Sequence, residues 1–239
     1  MRRIIALAAV SMIALAACGK PQEAAAPAEA QAAPAPSAEA EAAAAAAETA
    51  PVEAPFDVSM TVPGVYKADT NHAYITFSYD HQGYSRPWLR WRSWTGDLNW
   101  NPAAPDQSSI AVVIDAASID SGVDKFDDHL KSADFFEVEK YPQITFNSTS
   151  VTIDGPASAK IAGDLTVKGV TKPVTLDVKI NRAADDDFAK GYKLGFSGTT
   201  SFKRSDFGVD KYAPFVGDDV EIVVEAEFVM PKEEPAPAQ

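Results

Sequence analysis

From residue 65 onward, apolar and polar side chains alternate with a period of two. Ile75, Phe77 and Tyr79 alternate with Thr76 and Ser78, and Val112 with Ile114, Ile144 with Phe146, and Ile161, Leu165 and Val167 repeat the pattern. Leu176, Val178 and Ile180 continue it across Asp177 and Lys179. The last segment is the clearest: Val220, Ile222, Val224, Ala226 and Phe228 alternate with Glu221, Glu225 and Glu227. Such alternation, rich in β-branched and aromatic residues, predicts strands with one buried and one wet face, about eight of them. Asn101-Pro102, Asp154-Gly155-Pro156, Lys168-Gly169 and Gly217-Asp218 supply turn chemistry between them. Only Asp124 to Phe136 departs from the period, with Phe126, Leu130 and Phe135-Phe136 among charges, and it fits one or two short helices. Many antiparallel strands and little helix imply an all-β sandwich or a closed barrel. A barrel of eight strands has an interior that either fills itself or holds one small ligand, and periodicity leaves both open.

The N-terminus reads differently. Arg2 and Arg3 precede an apolar run, Ile4 to Ala17, broken only by Ser11. At about fourteen residues it is shorter than the roughly 20 needed to span a bilayer, and it reads as a signal peptide over 1–17. The run ends in Leu15-Ala16-Ala17-Cys18, which resembles a bacterial lipobox and implies acylation of Cys18, the chain's only cysteine. Gly19 after the cysteine favours outer-membrane sorting, by the same resemblance. An exported protein with one cysteine has no internal disulfide, and acylation accounts for the lone thiol. Residues 18–55 are dominated by Ala, Pro and Glu without an aromatic, and are expected to serve as a disordered tether. Residues 231–239 are expected to form a short disordered tail, which leaves a barrel domain at 56–230.

Composition sharpens this picture. The 12 Phe, 7 Tyr and 4 Trp all fall after residue 55, so the domain is rich in bulky apolar groups. The formal net charge of −13 argues against nucleic acid or an anionic membrane face as a partner of the domain itself. Asp185-Asp186-Asp187 reads as a solvated hairpin loop, because no matching ligand cluster stands near it.

Several short segments, in order, carry a family resemblance. They are Asp69-x-x-His72-Ala73-x-Ile75-x-Phe77, His81-x-Gly83-x-Ser85, Ala117 to Gly122 (ASIDSG) and His129 to Phe136 (HLKSADFF). Tyr141 to Phe146 (YPQITF), Gly163 to Val174 (GDLTVKGVTKPV), Arg204 to Gly208 (RSDFG) and Asp219-Val220-x-Ile222 complete the series. From about Tyr66 to Phe228 the chain resembles the YceI-like family. The resemblance implies a lipocalin-like antiparallel β-barrel that binds a polyisoprenoid, an isoprenoid quinone or a similar lipid and performs no chemistry. Two departures stand out: Phe126 occupies a position where family members often carry Arg, and Pro87 to Trp94 (PWLRWRSW) replaces a glycine-bearing stretch.

The candidate ligand-binding residues are apolar. Phe77, Tyr79, Phe146, Phe196 and Phe228 share the inward parity of their strands, which fits core packing and ligand lining equally. Trp91 and Trp94, three positions apart, cannot share one face of a regular strand, so a bulge or loop must intervene. Phe126 and Leu130 lie on the expected helix, where Phe135 and Phe136 are expected to divide, one plugging the core and the other facing an opening. His72, His81 and His129 lack metal-binding spacing and read as capping or loop-bonding residues. Arg204 and Asp206 are expected to form a salt-bridged corner. No nucleophilic elbow or nucleophile–base pair points to catalysis, so no catalytic or metal residue and no cofactor is assigned. The expectation is a non-catalytic binder of a long apolar ligand, periplasmic and lipid-anchored, with no nucleic-acid partner and with a homodimer left open. The alternative is a self-packed barrel acting as an envelope interaction or stress-related structural protein.

Overall fold

The computed structural model describes residues 61–232. The expected signal segment, Cys18, the tether and positions 233–239 of the expected tail lie outside the described residues. Within them the chain forms β1 (Gly64–Ala68), β2 (Tyr74–Tyr79), β3 (Trp88–Trp91), β4 (Trp94–Trp100), β5 (Ser109–Asp115), β6 (Ile119–Asp120) and helix α1 (Asp124–Lys131). Five further strands follow: β7 (Gln143–Gly155), β8 (Ser158–Val167), β9 (Val170–Asp186), β10 (Gly191–Lys203) and β11 (Asp219–Pro231).

These segments occupy the eight positions of a closed antiparallel barrel. β1 and β2 run in line, as do β3 and β4, and β5 and β6. β2 pairs with β3 and β1 with β4, while β3 pairs with β6 and β4 with β5. From there the order is a plain meander, β5-β7-β8-β9-β10-β11. Closure falls on β11, which pairs with β2 from Val220 to Glu225 and with β1 at Phe228 and Val229.

The step between β1 and β2 is an excursion, Asp69 to Ala73, locked by its own side chains. Asp69 accepts from Asn71 N at 3.1 Å and shares a proton with His72 Nδ1 at 2.9 Å. The Asp69 backbone donates to Glu227 O at 2.8 Å, which stitches the excursion to β11. His72 is therefore a loop-locking residue, and its partner holds its pKa above the usual value.

Between β3 and β4 the strand breaks at Arg92-Ser93. That break is the interruption required by the spacing of Trp91 and Trp94, and both rings are buried inside. Asp120 braces the break from β6. It accepts from Arg90 Nε at 3.0 Å and Arg92 Nε at 2.8 Å, and its other oxygen accepts from Gly122 N at 3.0 Å. These bonds, that of Arg92 first, hold its pKa at about 2.

One wall position admits no side chain. A Cβ on Gly163 of β8 would lie 2.6 Å from Asn147 O on β7 and would overlap the Phe146 ring. Glycine here marks a close approach between strands and sets where Phe146 lies.

Two stability experiments test these devices. Gly163→Ala should cost about 2 kcal/mol in urea unfolding, because the carbonyl it meets is fixed in the ladder. A carboxylate with a depressed folded pKa stabilises above its unfolded value, near 3.9, and loses that contribution as pH falls towards 2. The wild-type urea midpoint should therefore drop more steeply between pH 5 and pH 2.5 than that of Asp120→Asn; equal slopes would remove Asp120 from the acid limb.

Candidate functional site

The inward residues of the barrel do not close upon one another. Ile161, Leu165, Val174, Leu176, Val178, Phe202, Ile222 and Val224 point inward yet remain only half-buried. They line a cavity of about 340 Å³, within the size range of small-molecule sites. The self-packed interior carried as an alternative is thus not what the strands build. An eight-stranded circumference is just wide enough to leave a gap where facing positions are aliphatic or glycine, as at Val178, Gly198, Val224 and Ala226.

All eleven candidate residues come to the wall of this cavity: Phe77, Tyr79, Trp91, Trp94, Phe126, Leu130, Phe135, Phe136, Phe146, Phe196 and Phe228. Phe77 stacks on Trp91 at 4.8 Å between ring centroids, and Phe136 meets Trp91 edge-on at 5.8 Å. Trp91 Nε1 is buried without a hydrogen-bond partner among the described residues. Phe135 and Phe136 are both buried and both line the cavity, Phe136 in the seam with Trp91 and Phe135 beside Tyr212 at 6.3 Å. The reason is the turn after α1, where Phe136 N bonds to Leu130 O and Phe135 N to Ser132 O, folding both rings under the helix.

The two ends of the barrel differ. At one end Tyr66, Trp100 and Leu194 are buried beneath the cavity. Tyr66 Oη donates to Val62 O and Trp100 Nε1 to Thr61 Oγ1, both at 2.6 Å, so the entering chain covers this end. Burial pushes the Tyr66 pKa to about 12. At the other end the cavity reaches His81, Lys211, Tyr212 and Val216, residues with solvent exposure, and this end is the mouth.

The mouth is built around Arg204. Its guanidinium donates to the carbonyls of Gly217 (2.8 Å), Val209 (2.6 Å), Lys211 (3.0 Å) and Val216 (2.9 Å). It makes no salt bridge with Asp206; the corner is held by backbone acceptors, because the loop wraps the planar donor fork on several sides. Desolvation lowers the Arg204 pKa, opposed by Asp218, Asp210 and Tyr79. Four of five guanidinium N–H groups are used, and Arg204 also borders the cavity. Beside it, the Tyr79 hydroxyl makes no hydrogen bond among the described residues; burial raises its pKa while Arg204 lowers it. Across the mouth, His129 Nε2 pairs with Asp134 at 3.2 Å, and Asp134 also takes Lys211 Nζ at 3.2 Å.

His81, Arg204, Phe207, Val209, Lys211, Tyr212 and Val216 are wall residues that lie outside the strand pattern. They sit in connections without a period; Arg204 was visible only as a corner, and His81 only as a histidine beside a strand end. One further cluster brings together Asp69, His72 and Glu227, with ligand-capable atoms within 4.8 Å of one another. Lys193 Nζ already bonds Glu227 there at 2.9 Å, so the pocket of charge contains its own cation. Asp185-Asp186-Asp187 belongs to the β9–β10 hairpin, where Asp186 accepts from the amides of Phe188 and Ala189.

Comparison with known proteins points one way. The profile of the YceI-like domain matches residues 66–228. A UPF0312 protein of Ectopseudomonas mendocina is 37% identical over 158 residues, which cover 66% of this chain and 82% of that protein. Protein YceI of Escherichia coli O6:H1 is 35% identical over 179 residues, covering 74% and 93%. Among solved structures, BcnA of Burkholderia cenocepacia superposes with a TM-score of 0.61 at 26% identity, covering 67% of this chain and 98% of that one. A polyisoprenoid binding domain from Saccharophagus degradans shares the fold, with a TM-score of 0.54 at 14% identity over 70% and 98% of the two chains.

Gly198 offers a direct probe of the cavity. A Cβ there would meet Val178 Cγ2 at 3.5 Å and Val224 Cβ at 3.8 Å, which are ordinary contacts. Gly198→Leu should therefore fold, gain up to about 1 kcal/mol from relief of glycine's chain entropy, and extend its side chain into the tunnel. Uptake of a fluorescent long-chain probe should weaken at least about tenfold, a loss of ~1.4 kcal/mol.

Proposed function

We propose, from the premise that this chain belongs to the YceI-like family, that its barrel holds one long apolar ligand, a polyisoprenoid, an isoprenoid quinone or a similar lipid, and carries out no chemistry. The observation that carries this reading is the enclosed apolar cavity. Its wall is aromatic and aliphatic over its whole depth, and its polar groups gather at one end. The Saccharophagus degradans domain is described as polyisoprenoid binding; at its identity that likeness speaks to fold, and the ligand class follows from the wall. Each buried CH₂ contributes about 0.8 kcal/mol. Some fifteen carbons would give ~12 kcal/mol, and after several kcal/mol of ordering cost enough remains for micromolar binding near −8 kcal/mol.

The ligand's polar end lies at the mouth in this reading, where Tyr79 offers a free hydroxyl and Arg204 one unspent N–H. A hydrocarbon tail then points towards Trp100 and Phe228. The setting is the cell envelope: the N-terminal run and Cys18 support export and an acyl anchor, with Gly19 favouring the outer membrane.

Native mass spectrometry of the whole chain, purified gently from its own host, tests the binding. A reproducible one-to-one apolar mass, reduced in Gly198→Leu, is expected. A clean unliganded mass that also fails to take up added isoprenoid quinone would overturn the reading. Tyr79→Phe should weaken a ligand with an oxygen-bearing head by about 1 kcal/mol, the worth of one hydrogen bond, and leave a pure hydrocarbon unaffected. The anchor is checked separately by a clickable palmitate label that should be lost in Cys18→Ala.

A further inference from the structure

Four large apolar side chains stand in water at the mouth. Tyr84 (86% exposed) and Trp88 (52%) come from the β2–β3 connection and the start of β3, and Tyr212 (50%) and Phe215 (80%) from the β10–β11 connection. Gly217 N donates to Asp80 O at 2.8 Å, so these two connections lie side by side. Tyr212 has φ of 65°, a left-handed backbone that bulky residues rarely adopt. Held there, its ring packs near Phe135 and His129 on the cavity side while half of its surface faces solvent. Apolar surface therefore continues from the tunnel wall over the rim.

We propose that this rim, Tyr84, Trp88, Tyr212 and Phe215, docks on the surface of a phospholipid bilayer, so that the ligand passes between bilayer and tunnel without entering water. The inference rests on the lipid-binding reading above. Each CH₂ placed in water lowers the free concentration of such a ligand about fourfold, so passage through solvent is slow for any long chain, and the tunnel has its mouth at this face. Tyr and Trp are the side chains that settle at a membrane–water boundary, with an apolar body and a polar tip. Charge favours a zwitterionic surface over an anionic one. Arg86, Lys203 and Lys211 at this end each face a carboxylate, Glu221, Asp219 and Asp134, and the chain as a whole is acidic.

The position of the chain's entry agrees with this orientation. Thr61 sits at the closed end, bonded to Trp100. From Cys18 to Thr61 there are about 43 residues, which span at most ~150 Å when extended. A 13-residue strand such as β10 is about 43 Å long. An anchor at Cys18 can therefore reach past the barrel while the mouth faces the bilayer.

Transfer kinetics test the proposal. Phosphatidylcholine vesicles carrying a fluorescent long-chain isoprenoid are mixed with the full chain bearing Cys18→Ser, which removes the acyl tether. Docking predicts a transfer rate that rises in proportion to vesicle concentration. It also predicts a roughly tenfold slower rate for Tyr84→Ser/Phe215→Ser with unchanged equilibrium affinity and thermal melt, since neither residue touches the cavity. Replacing a third of the lipid with phosphatidylglycerol should slow transfer at low salt. A rate independent of vesicle concentration, or unaltered in the double variant, overturns docking while leaving the binding reading intact. Absence of uptake at equilibrium overturns the binding reading and the docking that depends on it.

Discussion

Everything in this barrel depends on one strand serving two partners. β11 pairs with β2 along one half and with β1 along the other, and this shared pairing turns an open meander into a closed wall. Once closed, the wall satisfies its own backbone hydrogen bonds and has no free edge there. The interior then needs no polar groups to receive stray N–H or C=O, so every inward position is free to be apolar. The cost of sharing is a mismatch in length between β11 and the β1–β2 stave, and the excursion Asp69 to Ala73 absorbs it. Asp69 and His72 fix that excursion by bonding each other and the local backbone. A motif that invites a metal-site reading is thus explained by the geometry of closure, with Lys193 beside it as the local cation.

The ends of the tunnel are finished by opposite means. The closed end is an aromatic plug, in which Phe196 meets Trp100 and Phe228 edge-on at 6.4 Å and 5.7 Å. The mouth is finished by a buried cation. Arg204 gathers four carbonyls of one loop, which an ammonium with three donors on a flexible stem could not do. Because its partners are carbonyls and not a carboxylate, positive charge is left partly uncompensated beside the cavity. Asp210 and Asp218 balance it from a distance. The shaft is thus apolar and its collar cationic and hydroxyl-bearing, so the two ends of the cavity differ chemically.

Much of this was legible from the period-two pattern. Parity alone assigned the inward faces of β2, β5, β7, β8, β9 and β11, and the three-residue spacing of Trp91 and Trp94 required the break that Arg92-Ser93 supplies. Three features were not legible, each for a physical reason. The cavity depends on how side chains of known parity add up around a circumference, which no single strand records. The fate of Phe135 and Phe136 is set by a turn whose hydrogen bonds run back to Leu130 and Ser132, outside any helical or strand period. The role of Arg204 depends on four carbonyls, all of them five to thirteen residues away along a loop, and carbonyls carry no sequence signal.

Trp91 joins the aromatic wall to a polar atom in one side chain. Its ring is part of the aromatic seam with Phe77 and Phe136, so it contributes to stability as any buried aromatic does. Its Nε1 nevertheless lacks a partner, and a buried, unsatisfied donor costs about 1–3 kcal/mol. Phenylalanine would fill much of the same space without that cost. The barrel therefore carries a polar atom in an otherwise apolar stretch of wall, beside a strand break whose backbone stays bonded: Arg92 N to Ser118 O, Ser93 N to Ser118 Oγ and Asp115 N to Ser93 O. In a self-packed core the unpaired indole N–H is pure loss. In the binding proposed above, the same ring lines the cavity beside Phe77 and Phe136, and its donor is the polar contact offered to an oxygen-bearing ligand that reaches it.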